Sequence, residues 1–398
     1  MIAPAMPVRQ GNGMAMRLGQ FLQALACDFE VDLIVAPVAG MITVEGARWA
    51  QSVAARLSVL DTEATLDTHL ALIMQLADPK ERADAFARRG LPSLSGRLST
   101  TAILRCREII GNQAYDLIHA SRSYCARLAL GLRNSRPAFS LDLDEDDERV
   151  FSAIATLDAL RGRAESSAWR HLEARAFKNL VDAAIPHFDR VWVASAVDAA
   201  RLGGLAVIPN AIEAVPRPQR RDDGRTLLFV GSLGYEPNED AVEWFLSAVW
   251  PRLRTSGPPL QLRIVGPDAS EGLRLVAREV GAEIVGWAEN LRAQYETSTL
   301  CIAPVRAGAG TRIKLLEAAV HRVPIVSTTL GAEGLGMEDG CHLWLADNPA
   351  EFSAAIEQAL SRPAERLRRA RAARAWVAEH FDRGVVVAHL TAEFRALL

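Results

Sequence analysis

In the second half of the chain, short continuous apolar runs alternate with stretches of helical spacing. Thr226–Val230 is such a run and ends in Gly231-Ser232-Leu233-Gly234. Asn238 then stands as an N-cap, with Glu239 and Asp240 in the first turn and Val242, Phe245, Leu246, Val249 and Leu253 at helical spacing. Residues 260–266 read as the next strand, followed by a helix around 270–280, a strand over Glu283–Gly286 and a short helix around 290–297. Further strands are expected at 299–305 and 324–327. Continuous apolar strands separated by helices predict a parallel sheet covered on both faces. Gly231, Gly266 and Gly286 close three of these strands, at the carboxyl edge where ligands bind in such sheets.

The first half follows the same scheme less clearly. Residues 2–5 read as a strand end, then comes the loop Arg9-Gln10-Gly11-Asn12-Gly13, and a helix carries Leu18, Phe21, Leu22 and Leu25. Strands are expected at 31–35, at 115–119 with His119 at its end, at 138–143, at 190–194 and at 206–209. The segment 45–110 reads as mostly helical, broken at Gly90-Leu91-Pro92, and 150–187 as a long helical region. The polar, Pro-rich segment 215–224 has the composition of a linker, and a length of 398 residues favours two domains.

Between 304 and 335 the chain reads PVRAGAGTRIKLLEAAVHRVPIVSTTLGAEGL: strand end, Gly-rich turn, helix, buried strand. Gly308 and Gly310 permit close approach of a ligand to the backbone, and the following helix presents unpaired N–H groups to it. Arg312 and Lys314 lie in the first turn, where the helix dipole disfavours cations and a bound anion would compensate. Only three of the 45 basic residues are lysine, namely Lys80, Lys178 and Lys314, so a point charge suited to phosphate stands inside this motif.

Composition narrows the field. The chain is 49% hydrophobic with a net charge of −3, so no basic excess argues for nucleic acid. No apolar run is long enough to span a membrane and the first residues lack a signal-peptide pattern, which predicts a cytoplasmic protein. Cys27, Cys106, Cys125, Cys301 and Cys341 are scattered without metal-type spacing, so neither a disulfide framework nor a zinc site is expected.

Four segments together resemble the GT-B glycosyltransferases, most closely the family-4, retaining type and its members in exopolysaccharide clusters: PNAI at 209–212, FVGSLGYEPNEDAVEWF at 229–245, RIVG with VGWAENL, and GAGTRIKLLEAAVHRVPIVSTTLGAEGL. RQGNGMAMR, YDLIHASRSYCA and LDLDEDD extend the likeness weakly into the first half. The resemblance implies an α/β, GT-B fold, with two doubly wound Rossmann-like domains facing a cleft. Residues 1–216 would form the acceptor-side domain, 217–224 the linker and 225–379 the nucleotide-sugar-binding domain, with a last helix over about 380–398 returning to the first domain. It further implies transfer of a sugar from a nucleoside diphosphate sugar to a glycan, lipid-linked or small-molecule acceptor, with retention and without a metal or other cofactor.

By the same resemblance, Gly310 and Thr311 would offer backbone N–H groups to the diphosphate, and Arg312 and Lys314 would neutralise the charge that builds on the leaving group. Glu317, on the same helical face as Lys314, would accept from the ribose hydroxyls. Ser232, Gly266, Trp287 and Leu291 would line the nucleotide, Gly11 and Gly13 would bring the first-domain loop to the donor, and His119 would touch the acceptor or the transferred sugar. Two departures stand out. Ala309 occupies the place of the first glutamate of the family's Glu-x7-Glu pattern, and Ser232 and Asn238 stand where an Arg and a Lys are often found.

The run Asp142-Leu143-Asp144-Glu145-Asp146-Asp147 invites a metal reading, but its distance from the phosphate motif favours a solvated strand end or loop. The arginines at 362, 366, 368, 369, 371 and 374 are compatible with peripheral contact at an inner membrane face, against an ordinary solvated helix. Two rival readings share the diphosphate motif: a nucleotide-sugar epimerase, and a degenerate, non-catalytic nucleotide-binding partner subunit that Ala309 keeps open.

Overall fold

The computed structural model describes residues 1–40, 42–132, 137–253 and 259–398. The chain divides into two compact units, Met1–Ala211 with Gly384–Leu398, and Ile212–Arg383. The first holds strands β1 (Ile2–Ala3), β2 (Asp32–Val35), β3 (Arg56–Val59), β4 (Leu117–Ser121), β5 (Ala138–Asp144), β6 (Arg190–Val193) and β7 (Ala206–Val207). The second holds β8 (Thr226–Val230), β9 (Gln261–Val265), β10 (Glu283–Gly286), β11 (Leu300–Ala303), β12 (Ile325–Ser327) and β13 (Trp344–Leu345).

Every strand pairing is parallel. The orders are β3-β2-β1-β4-β5-β6-β7 and β10-β9-β8-β11-β12-β13, so both sheets are doubly wound, with the order reversing at β1/β4 and at β8/β11. Parallel strands require crossovers, and helices bury both faces. In the first unit Leu18, Phe21 and Leu22 pack with Val387, Leu390 and Phe394 on one face, and Leu128, Phe177 and Leu180 lie on the other. In the second, Phe245, Leu246, Trp250, Phe352 and Ile356 cover Leu227, Phe229, Ile264 and Ile302.

The sequence pattern missed β3 and β13. β3 is an edge strand of exposed and half-exposed residues, without the apolar run that marked its neighbours. The supposed linker is docked rather than free: Arg220 Nη1 donates to Tyr295 O at 2.9 Å and Gln219 N to Glu296 Oε1 at 2.9 Å. It belongs to the second unit, and the chain passes between units at Ala211/Ile212 and Arg383/Gly384. Helix Arg383–Arg395 is tied to the first unit by Arg190–Glu393 and Arg395–Asp28 ion pairs, each 2.5 Å. The basic helix, Pro363–His380, spends much of its charge internally: Arg368 and Arg369 pair with Glu365, Arg366 with Asp222, and Arg374 Nη2 donates to Val215 O.

Candidate active site

Helix Glu236–Trp244 begins three residues earlier than expected, because Pro237 takes the first turn, and Asn238 therefore caps nothing. Its amide Nδ2 instead donates to Ser232 O at 2.9 Å, and its Oδ1 accepts from Lys314 Nζ at 2.7 Å. Lys314, in the first turn of helix Ile313–Val320, is 9% exposed and places its ammonium 4.1 Å from the centre of the Phe229 ring. Among the described residues no carboxylate is in hydrogen-bond contact with it; a neutral amide and an aromatic face are its direct contacts, and Glu317 on the same helix acts on it only through space. Burial, with the Arg312 charge adding to it, pulls its pKa down to about 7.

Glycines make this proximity possible. A Cβ on Gly231 would come within 3.0 Å of Lys314 Nζ, and one on Gly266 would strike Gly231 O at 1.8 Å. The ends of β8 and β9 thus pack backbone to backbone. In the loop before the helix, Gly308 (φ 106) and Gly310 (φ 74) both take conformations that favour glycine.

Arg312 is the N-cap residue of this helix and folds back over its own loop. Its guanidinium donates to Ala309 O, to Gly310 O at 3.3 Å and to Ala307 O at 3.5 Å. Arg312 Nε and Thr311 Oγ1 are shut off from solvent and have no hydrogen-bond partner among the described residues. Ala309 is 2% exposed and leaves no polar side chain at its position. Arg306 ties the loop to helix Glu236–Trp244 through two bonds to Asp240, 2.7 and 3.1 Å, with its guanidinium over Trp244.

Glu317 follows Lys314 on the same face. Tyr295 donates its hydroxyl to Glu317 Oε2 at 2.8 Å, and burial pushes the carboxyl up to about 7. Sequence reasoning missed Tyr295, which reads as an ordinary apolar position of the short helix Leu291–Thr297. Trp287 is 73% exposed just beyond β10 and takes no part in the core; Leu291 begins the helix that follows.

The first-unit candidates fare differently. His119 lies in the middle of β4, not at its end, and is 1% exposed. Its ring nitrogens meet Ser140 Oγ at 3.0 Å and Ser121 Oγ at 3.1 Å, and the ring stacks on Phe21. Burial holds its pKa well below the usual histidine range, with the chain's amino terminus and Arg17 adding to the effect. It is a satisfied core residue rather than a substrate contact. Gly11 lies on an exposed loop with φ 150, and Gly13 opens helix Gly13–Ala26 behind the N-cap Asn12.

The acidic run is not solvated; its aspartates are buried and largely engaged by arginines. Asp142 binds Arg17 through both oxygens, at 2.7 and 2.8 Å, while Arg122 reaches Asp144 at 3.2 Å, Glu145 at 3.3 Å and Asp147. Asp142, Asp144, Asp146 and Asp147 are all buried. No metal-holding group of His, Cys, Asp or Glu occurs among the described residues.

Residues 224–362 match the family model of group 1 glycosyl transferases. An uncharacterized 44.6 kDa protein of the cps region of Klebsiella pneumoniae is 26% identical over 266 residues, 63% of this chain. The match spans 66% of that relative, just under two thirds of its length. Sucrose-phosphate synthase from Thermosynechococcus elongatus superposes with a TM-score of 0.66 at 15% identity, covering 99% of this chain and 96% of that one. Anabaena HepE, solved in complex with UDP and glucose, gives 0.63 at 14% identity, covering 100% and 99%. The fold is GT-B.

Proposed function

From a group 1 glycosyl transferase domain in a chain of GT-B fold, we propose that the protein transfers a sugar from a nucleoside diphosphate sugar to an acceptor, with retention. One observation carries the donor reading: a buried, carboxylate-free Lys314 ammonium beside a glycine loop whose Thr311 Oγ1 and Arg312 Nε are buried without partners. A diphosphate would supply the missing acceptors. Loop and helix N–H groups would hold it, Lys314 would meet its oxygens, and Arg312 would turn from its own carbonyls to the leaving group. In this reading side chains provide the neutralising charge, and the transfer is metal-independent. Glu317 would take the ribose, and Trp287 and Leu291 the base. The cps-region relative and HepE with UDP favour surface-polysaccharide assembly and a uridine nucleotide.

Calorimetry with UDP, GDP and dTDP tests the reading. Binding of at least one is expected, weakened about 10- to 100-fold by Arg312→Ala or Lys314→Ala. Absence of binding to all three overturns it. Ala309 favours one alternative, a nucleotide-binding partner subunit without turnover, because no carboxylate stands at that position for the donor sugar. Release of nucleoside diphosphate from a donor panel in the presence of cell-envelope acceptors separates the two.

A further inference from the structure

Tyr295 is 1% exposed and held on two sides. Its ring stacks on His321 with centroids 5.3 Å apart and planes 6° from parallel. Its hydroxyl lies 2.8 Å from Glu317 Oε2 and 3.3 Å from Lys314 O. A phenol has one proton to give, and the shorter approach to a carboxylate oxygen is the stronger use of it. That bond occupies Oε2 and fixes the carboxylate's rotation, while Oε1 has no partner among the described residues. The tyrosine comes from helix Leu291–Thr297, the carboxylate from helix Ile313–Val320, so the bond also locks two elements that flank β11.

We infer that Tyr295 is a positioning residue for nucleoside recognition: its hydroxyl sets Glu317 so that Oε1 accepts from the ribose diol of a nucleoside diphosphate. The inference rests on the donor site proposed above. It makes a distinction that charge alone does not, because Lys314 and Arg312 serve any diphosphate whereas Glu317 serves only one that carries a ribose. The ionised state of Glu317 is part of the device. Facing or neighbouring it are Tyr295 from one helix, Lys314 from its own, His321 at that helix's C-cap, Arg312 at its N-cap and Cys301 on β11. Losing the Tyr295 hydroxyl removes a donor to the charged form, so the carboxyl holds its proton to higher pH.

The test measures UDP and pyrophosphate binding to the full chain by calorimetry, across neutral pH, for the natural protein and Tyr295→Phe. Phenylalanine keeps the ring against His321 and the core volume. The ratio of UDP to pyrophosphate affinity is expected to fall about tenfold in the variant. The pH at which that ratio is half-maximal is expected to move upward. An unchanged ratio overturns the inference. So does an equal loss of both affinities, which would make Tyr295 only a brace for the helix. If the natural protein binds pyrophosphate but none of UDP, GDP and dTDP, the donor reading itself falls; if it binds UDP and the ratio is unmoved, only the role of Tyr295 falls.

Discussion

Arg17 and Lys314 are both cations buried beside the strand ends of a parallel sheet, and they are compensated in opposite ways. Arg17 uses all its donor nitrogens: two meet Asp142, and Nη1 meets Ile208 O at 2.9 Å and Asn210 Oδ1 at 3.3 Å. Lys314 has Asn238 Oδ1 and the Phe229 ring. The first arrangement is complete and has no place for a further anion. Among the described residues the second gives its ammonium no carboxylate in direct contact, Glu317 acting only through space, and that deficit suits a phosphate-bearing ligand. On the donor reading proposed above, the same fold uses one such edge for cohesion and the other for binding. Density of charge in the sequence points the wrong way, since the acidic run is the structural one.

The comparison breaks most visibly at Asp142. Asp142→Ala leaves the Arg17 guanidinium buried without its carboxylate and should cost about 3–5 kcal/mol, read as an early-melting transition in calorimetry. A variant that melts with the natural protein would remove the structural role given to the pair.

Lys314→Met should do the reverse. Removing an uncompensated buried charge is expected to leave stability equal or raise it by up to about 3 kcal/mol at neutral pH. Nucleoside diphosphate affinity should fall about 10- to 100-fold. The pH dependence follows with a definite sign. Lys314 releases its proton at about 7 in the fold but at about 10.4 when unfolded. The unfolded chain binds more protons between those values, so this residue makes stability rise with pH across that window. Glu317 titrates at about 7 in the fold against about 4.3 unfolded. The folded state then holds the extra proton, and stability falls as pH rises toward 7. Together the two groups contribute a minimum near neutrality, and Lys314→Met should abolish its alkaline limb. Melting temperatures against pH that coincide for both proteins would refute the burial of this charge.

Much of this was readable from apolar periodicity. The strands of the second unit are continuous apolar runs because helices cover both faces, and their glycine ends mark the carboxyl edge. The Gly-rich loop with Lys314 and Glu317 was legible for the same reason: backbone demands and unusual charge placement are local. Long-range partners were not. Asn238 looked like a cap because its pairing with Lys314 spans 76 positions, and Pro237 shifts the helix start. Tyr295 gave no signal, since a buried tyrosine and a positioning one have the same spacing. His119 followed an apolar run and so resembled a strand end, yet β4 continues to Ser121 and pairs with β5 along its length. The acidic run read as solvated because the arginines that neutralise it, Arg17 and Arg122, stand far from it in the sequence.

The smallest effect is expected at Trp287, where the two units' aromatic residues differ most. Trp192 of the first unit is fully buried, its Nε1 donating to Glu393 Oε2 at 3.3 Å. Trp287 is 73% exposed, turned outward after Gly286, whose φ is 75. An exposed indole contributes little to stability, so Trp287→Ala should leave the melting temperature unchanged. If the ring covers a nucleotide base, stacking of about 1 kcal/mol is lost, a roughly fivefold weaker UDP affinity. Pyrophosphate, which has no base, should bind the variant as before. Equal weakening of both ligands would place Trp287 in the support of the loop instead of against the base, and no change in either would remove it from the site.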